Sequence, residues 1–311
     1  MAHMHPQPTL HQANLAGISW MIASMAAFAV EDTFIKAATK QLPVGQVMIL
    51  FGAGGAILFA YLTRRSGSRL LTKQAFSKVM LIRAVCELVG RLFYVLAIAL
   101  TPLSSATAIL QATPIIVVLG AMVFFGESVG WRRWCAIVAG LVGVVIILRP
   151  ATADFSALSM LALVGTMGFA GRDLASRAAP ASLTTWVLGL YGFLTVAVAG
   201  AFLSLWDGKP FVWPTNANVG GMAAAVGVGV FAYAALMKAM RTGSISAVTP
   251  FRYTRLLFGI TLGIVIFGER IDGPMILGCV VVIGSGMLIL WKGKVNTMPD
   301  MHVPRVEDTI G

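Results

Sequence analysis

Ten apolar stretches use up almost the whole chain, each long enough to cross a lipid bilayer. A helix needs about 20 mostly apolar residues to cross roughly 30 Å of hydrocarbon. Such stretches cover 15–37, 44–63, 79–100, 103–125, 132–149, 157–178, 182–206, 217–240, 244–267 and 273–291. Lipid offers no partner to a free amide or carbonyl, so segments of this length must close their hydrogen bonds internally, as helices. The predicted fold class is an all-α membrane protein with ten transmembrane helices. Composition agrees: 58% of the 311 residues are hydrophobic, 11% are charged, and the mean hydropathy is +0.86. Little chain is left for a soluble catalytic or nucleic-acid-binding domain, so the lipid bilayer is an expected partner and nucleic acid is not.

The ten stretches form two sets of five. Phe125-Gly126-Glu127 closes one apolar stretch, and Phe267-Gly268-Glu269 closes another 142 residues later. At that offset Ser104 falls on Ser246, Thr107 on Thr249, Val123 on Val265, Val138 on Val280 and Ile147-Leu148 on Ile289-Leu290. This is an internal duplication of the kind that underlies many secondary transporters. It divides the chain into a polar tail (1–14), a first five-helix repeat (15–149), a second (150–291) and a second polar tail (292–311). Five is odd, so the second copy enters the membrane from the opposite side and the repeats are inverted around a central cavity. Glu127 then lies at the inner surface and Glu269 at the outer. Each Gly supplies a tight reversal, and each Glu is expected near the start of the next helix, where the dipole favours negative charge. That structural role outweighs a functional one for both.

The net charge of +11 is distributed by topology. Arg64, Arg65, Arg69, Lys73 and Lys78 share one loop, and Arg132, Arg133, Arg177, Lys238, Arg241, Lys292 and Lys294 fall on the same side of the membrane. Only Lys40, Arg149, Lys209 and Arg270 fall opposite. The positive-inside rule places both termini in the cytoplasm. The first stretch lacks a basic leader and runs into Glu31-Asp32, so it reads as a span and not as a cleaved signal. Cys86, Cys135 and Cys279 are solitary within apolar stretches and read as small core residues. His3, His5, His11 and His302 lie in the tails, so no histidine metal site or proton relay is expected in the membrane.

Charges inside the spans carry most of the functional signal. Each lone charge at mid-membrane costs roughly 2.5–3.5 kcal/mol by insertion scales. Glu31, Asp32, Lys36, Arg83, Glu87, Arg91, Arg172, Asp173, Arg252 and Arg255 would together cost on the order of 30 kcal/mol if left unpaired. They must face one another or water. All lie in spans one, three, six and nine, which predicts an aqueous cavity there, with spans five and ten as lipid-facing supports. On span three, Arg83, Glu87, Arg91 and Tyr94 share one helical face. One reading is a self-neutralising ladder with Arg83 reaching the headgroups. The other is a substrate stripe, in which guanidinium forks bind a carboxylate and Glu87 accepts an ammonium. Arg252, Tyr253 and Arg255 offer a second such group, and the surplus of cations favours a solute with a carboxylate.

Backbone breaks point to the same region. Pro114 leaves the Leu110 carbonyl free to meet a ligand or neighbour, and Pro250 does the same for Ser246. The repeat sets Leu256 opposite Pro114 and Ala108 opposite Pro250, so the kinks are not symmetry mates. Gly259, Gly263, Gly227 and Gly229 are small-residue faces for close packing. Gly227-x-Gly229-x-x-Ala232 has the spacing of a dinucleotide fingerprint but no preceding strand, so it reads as packing. Trp20, Phe169, Tyr191, Phe231 and Tyr233 are candidates for an aromatic pocket, although core or interface anchoring suits any single one better.

Ten spans in two copies, each closing its fourth helix on Phe-Gly-Glu, resemble the drug/metabolite transporter superfamily, EamA-domain type, over about 15–291. Within it the chain is most similar to bacterial YddG-type exporters of aromatic amino acids. The resemblance implies a cavity lined by spans one, three, four, six, eight and nine. The expected lining comprises Glu31, then Glu87, Arg91 and Tyr94, with Gln111 and Pro114 on span four. Phe169 and Arg172 on span six, Tyr233 on span eight, and Arg252, Tyr253 and Arg255 on span nine complete it. The implied activity is secondary export of small amphipathic metabolites, foremost amino acids, through the bacterial inner membrane by a monomer without a cofactor. An importer or exchanger of another solute, such as a nucleoside-derived one, is the alternative. An intramembrane enzyme is disfavoured, since no metalloprotease or serine-hydrolase motif and no intramembrane histidine is present. There is no P-loop for ATP. Glu31, Glu87 or Asp173 could exchange a proton during transport, or all three could stay paired.

Overall fold

The computed structural model describes residues 10–126, 131–148, 157–178, 183–242 and 248–291. Among them there is no strand. The first half contains α1 (Leu10–Thr39), α2 (Val44–Arg65), α3 (Lys78–Leu100), α4 (Leu103–Leu110), α5 (Thr113–Phe125) and α6 (Trp131–Leu148). The second contains α7 (Ser159–Arg177), α8 (Thr185–Asp207), α9 (Asn216–Thr242), α10 (Thr254–Phe267) and α11 (Gly273–Trp291). One short 3₁₀ helix, Lys73–Phe76, precedes α3, and another, Thr249–Tyr253, leads into α10. With α4 and α5 forming one broken span, these make ten spans of an all-α membrane protein, as predicted. By length and composition alone five qualify as membrane-crossing: His11–Thr39, Val44–Arg65, Leu103–Phe124, Thr185–Asp207 and Asn216–Ala239. The spans α3 and α7 fall outside that group because they carry the charges.

Helix ends follow local chemistry. Ser77 and Thr184 cap α3 and α8 by accepting from the amides of Met80 and Val187. The two Phe-Gly-Glu motifs end α5 and α10 in the left-handed conformation that glycine adopts without strain, with φ 66° at Gly126 and 65° at Gly268. Below, face A denotes the side where α1 begins and face B the side where it ends.

The pattern of helix contacts maps onto itself when the halves are exchanged. Spans two and seven (α2, α8), four and nine (α4, α10) and five and ten (α6, α11) pack as mates across the axis. The pair α1–α9 becomes α7–α3, and α1–α10 becomes α7 with α4 and α5. Small residues allow these approaches: a Cβ on Gly168 would lie 2.6 Å from the Gly90 Cα, and one on Gly200 2.7 Å from the Gly45 carbonyl.

The two helix breaks correct one expectation. Span four breaks at Gln111-Ala112, and span nine changes from 3₁₀ to α at Tyr253-Thr254. Gln111 and Tyr253 are equivalent at the 142-residue offset. The breaks are therefore symmetry mates, and they touch: the Gln111 side-chain amide donates to the Tyr253 carbonyl at 3.1 Å. A proline disturbs the turn before it, so proline positions alone misplaced the breaks. Nor is the Leu110 carbonyl free, since the Thr113 hydroxyl donates to it at 2.5 Å. Of the cysteines only Cys279 is buried; Cys86 is half-buried and Cys135 exposed. His11 sits in the exposed first turn of α1, not in a tail. His3, His5, His302, Glu127, Arg149 and Ser246, and the boundaries expected at 149–150 and 291–292, involve residues wholly or partly outside those described; residues 10–14, expected in the first tail, already belong to α1.

Candidate functional site

A column of ion pairs runs through the centre of the molecule, built by α1, α3, α7 and the start of span nine. Eighteen steps of about 1.5 Å separate Arg83 from Thr101 along α3, about 27 Å and close to the hydrocarbon thickness. Near face A, Arg252 lies 3.5 Å from Asp173, which Arg172 holds at 2.8 Å. Arg172 also reaches Glu87 at 3.3 Å, and Glu87 has Arg83 at 3.8 Å and Arg91 at 3.9 Å. One carboxylate thus sits among three guanidinium groups. Deeper, Arg91 donates to Glu31 at 2.9 Å, while Asp32 accepts from Arg255 at 2.6 Å and the Tyr94 hydroxyl at 3.1 Å. Such pairing is what makes a string of charges tolerable away from water.

The column is more open at one end. Side-chain exposure is 20% for Arg172, 24% for Asp173 and 27% for Arg252, against 0% for Glu31 and 1% for Asp32. Both face-distal acids retain a buried oxygen with no hydrogen-bond partner, Glu31 Oε2 and Asp32 Oδ1, as do Arg255 Nε and the Tyr253 hydroxyl. Glu31 Oε2 lies against Gly229, where an added Cβ would come within 2.9 Å of it.

The predicted cavity residues fall into three groups. Glu31, Glu87, Arg91, Arg172, Arg252 and Arg255 join the column. Phe169 lies between them, with the Arg172 guanidinium 4.8 Å from its ring and that of Arg91 5.8 Å away, and Tyr233 packs edge-on against Phe59 at 5.5 Å. Tyr94 is fully buried, its ring against Phe169 and its hydroxyl on Asp32, while Gln111, Pro114 and Tyr253 belong to the crossing of the broken spans. Arg83 does not reach for headgroups. It is buried, paired with Glu87, and donates to the Ser176 hydroxyl at 2.9 Å.

Glu269 overturns a sequence expectation. Its carboxylate serves the start of α4 in the other repeat, and not the next helix along the chain. It accepts from the Leu103 amide at 2.6 Å, the Ser104 amide at 2.9 Å and the Ser104 hydroxyl at 2.7 Å. Pro102 precedes α4 and offers no side-chain cap, so a remote carboxylate satisfies those amides. Lys36 stands 3.7 Å from Glu269 and donates to the carbonyls of Ile98 and Thr101. Sequence reasoning left Glu269, Ser104 and Lys36 out of the site; the one available signal was the pairing of Ser104 with Ser246 in the repeat.

Beside the column, a cavity of about 590 Å³ opens toward face A, with Trp20, Trp186, Phe231, Thr185 and Lys238 among its lining. The Lys238 ammonium sits 4.1 Å from the centre of the Trp20 ring. An apolar groove of about 660 Å³ separates α2 from α9. Among the described residues no group of histidine, cysteine or carboxylate side chains is placed to hold a metal.

The model of the EamA-like transporter family matches this chain twice, over residues 15–149 and 152–291. The chain is 22% identical over 289 residues to the S-adenosylmethionine uptake transporter of Rickettsia prowazekii, covering 93% of this chain and 96% of that protein. It is 26% identical to the pseudopaline exporter CntI of Pseudomonas aeruginosa, covering 86% and 93%. It is also 26% identical to a riboflavin transporter of Vibrio cholerae, covering 90% and 95%. A solved crystal structure shares the fold, with a TM-score of 0.58 at 19% identity over 89% of this chain and 97% of its own.

Proposed function

The chain belongs to the EamA-like transporter family, and from that premise we propose that it moves small amphipathic metabolites with an amino-acid head group by alternating access. It is a multi-pass membrane protein of a transporter family, and we place it in the bacterial inner membrane with both termini in the cytoplasm. The observation that carries the reading is the charge balance of the column. Arg83, Arg91, Arg172, Arg252 and Arg255 face Glu31, Asp32, Glu87 and Asp173. Lys36 is neutralised separately by Glu269. Among the described residues one guanidinium charge is therefore left over, which suits a solute carboxylate, and the acids beside it suit an ammonium.

The solute enters from face A in this reading, where Arg172, Asp173 and Arg252 are most exposed, and Glu87 and Arg91 grip its head group. Phe169 and Tyr233 offer rings for an apolar or aromatic tail. Export of amino acids, aromatic ones included, fits these groups. The relatives widen the range: S-adenosylmethionine joins an amino-acid head to a nucleoside, and its carrier in Rickettsia prowazekii is an uptake protein. Uptake is therefore the second reading.

Flux of radiolabelled amino acids, S-adenosylmethionine and riboflavin into proteoliposomes, with and without a pH gradient, tests solute, direction and coupling together. Arg91→Ala and Glu87→Ala are each expected to lower flux per folded molecule at least tenfold, equivalent to about 1.4 kcal/mol. Normal flux in both would leave the column as a structural ladder. Flux indifferent to the imposed gradient would exclude a proton carried on Glu31, Glu87 or Asp173. For topology, a cysteine replacing Ser68 should resist an impermeant reagent in intact cells, and one replacing Asn216 should react.

A further inference from the structure

We propose that Lys36 and Glu269 are positioning residues of the transport cycle, which together hold face B shut while the column is open to face A. The proposal rests on the alternating-access reading above. Three elements from both repeats meet at this point: α1 through Lys36, the α3–α4 corner through Ile98, Thr101, Leu103 and Ser104, and the α10–α11 corner through Glu269.

The corner between α3 and α4 brings together the negative end of one helix and the positive end of another. Lys36 meets the first by donating to the terminal carbonyls of α3, and Glu269 meets the second by accepting from the first amides of α4. The two charges then face each other at 3.7 Å. Lys36 donates to the carbonyls of Ile98 and Thr101 and faces Glu269 as an ion pair, so the ammonium keeps all three partners only while the three elements are together. Glu269 is held ready by its own turn, its amide donating to the Gly263 carbonyl at 3.1 Å. Gly263 leaves room for it, since a Cβ there would approach within 2.5 Å of Glu269 Oε2. Both side chains are about nine-tenths buried, whereas Arg172, Asp173 and Arg252 near face A are a fifth to a quarter exposed.

At the 142-residue offset Lys36 falls on Ala178, so the duplication does not repeat the lysine at that position. A lock made of an ion pair and hydrogen bonds between separate elements can be released by water or by a rearranged partner, which distinguishes it from an apolar seam. Releasing it exposes the positive end of α4 to face B.

Site-directed labelling reads the lock without any solute. Thr107 lies one turn deeper than Ser104 and is buried. With Cys86, Cys135 and Cys279 replaced, Thr107→Cys is labelled by a membrane-impermeant maleimide in cells and in inverted vesicles, and Asn216→Cys reports which preparation exposes face B. Glu269→Gln and Lys36→Met are each expected to raise the labelling rate from face B at least tenfold, and Ser104→Ala to raise it less. Unchanged rates in folded, monodisperse Glu269→Gln and Lys36→Met protein would overturn the proposal. If Glu269→Gln does not fold, Lys36→Met and Ser104→Ala decide it by the same rates. A variant labelled faster from face B while no tested solute is moved would keep the lock and sink the solute assignment instead.

Discussion

The crossings α1–α9 and α3–α7 are the same crossing by duplication, yet they are held together by different chemistry. In α3–α7 the interface is ionic: Glu87 meets Arg172, Arg83 meets Ser176, and Phe169 packs beside Tyr94. At the equivalent places α1–α9 has Gly229 for Glu87, Val30 for Arg172 and Ala225 for Arg83. Its interface is Met21, Met25, Phe28 and Ala232, with the Ser24 hydroxyl donating to the Ala232 carbonyl as the polar tie. Asp32 turns away from α9, toward α3 and α10, and Glu31 pairs with Arg91 of α3 while its second oxygen lies against Gly229 of α9. Duplication kept the backbone pairing and released the side chains. The polar path is therefore eccentric in a molecule whose scaffold is nearly symmetric, and an eccentric path gives a solute different surroundings at its two ends.

Glu87→Ala should break the ionic crossing most severely. It strips three guanidinium groups of their shared carboxylate, and losing one partner of a buried network costs about 3–5 kcal/mol, read as a large drop in thermal unfolding temperature in detergent. Gly168→Val comes next, because its Cβ would strike the Gly90 backbone; overpacking of this kind costs about 1–3 kcal/mol. Gly227→Ala, at a position facing open space, should leave the unfolding temperature unchanged, and an equal loss at both glycines would remove close approach as the reason. Gln111→Ala should cost about 0.5–1.5 kcal/mol, the worth of a typical hydrogen bond, and slow flux more than it lowers stability. Smallest of all, Ser24→Ala should cost about 0.6 kcal/mol, the average for a hydrogen bond between membrane helices. A loss at Ser24 as large as that at Glu87 would erase the contrast between the two crossings.

The scaffold was legible because the bilayer reduces the possibilities to helix or barrel, and apolar runs of the right length read directly as spans. Charge partition by span was legible too, since an unpaired intramembrane charge is too costly to be incidental. Which charge pairs with which was not: the sequence suggested Glu87 with its neighbours on α3, and Arg172 from another helix joins it more closely. The role of Glu269 was hidden for a related reason. A carboxylate after Gly268 reads as a cap for the helix that follows, and only tertiary folding brings the bare start of α4 to it. The helix breaks were missed because proline marks where a bond is lost, while Gln111 marks where the chain turns.

The meeting of Gln111 with Tyr253 has a mechanical consequence. Two jointed rods cross at their joints, so each half-rod can tilt without dragging the rest of its own length through the hydrocarbon. Leu103–Leu110 and Thr113–Phe125 both rest on α7, and the break at Gln111-Ala112 separates them into two short rods. Any tilt of one rod pushes on the other at the same depth, because a single amide pins the two elbows together. In the alternating access proposed above, the crossing would serve as a fulcrum near the level of the charges, where small angular changes become larger ones at either mouth.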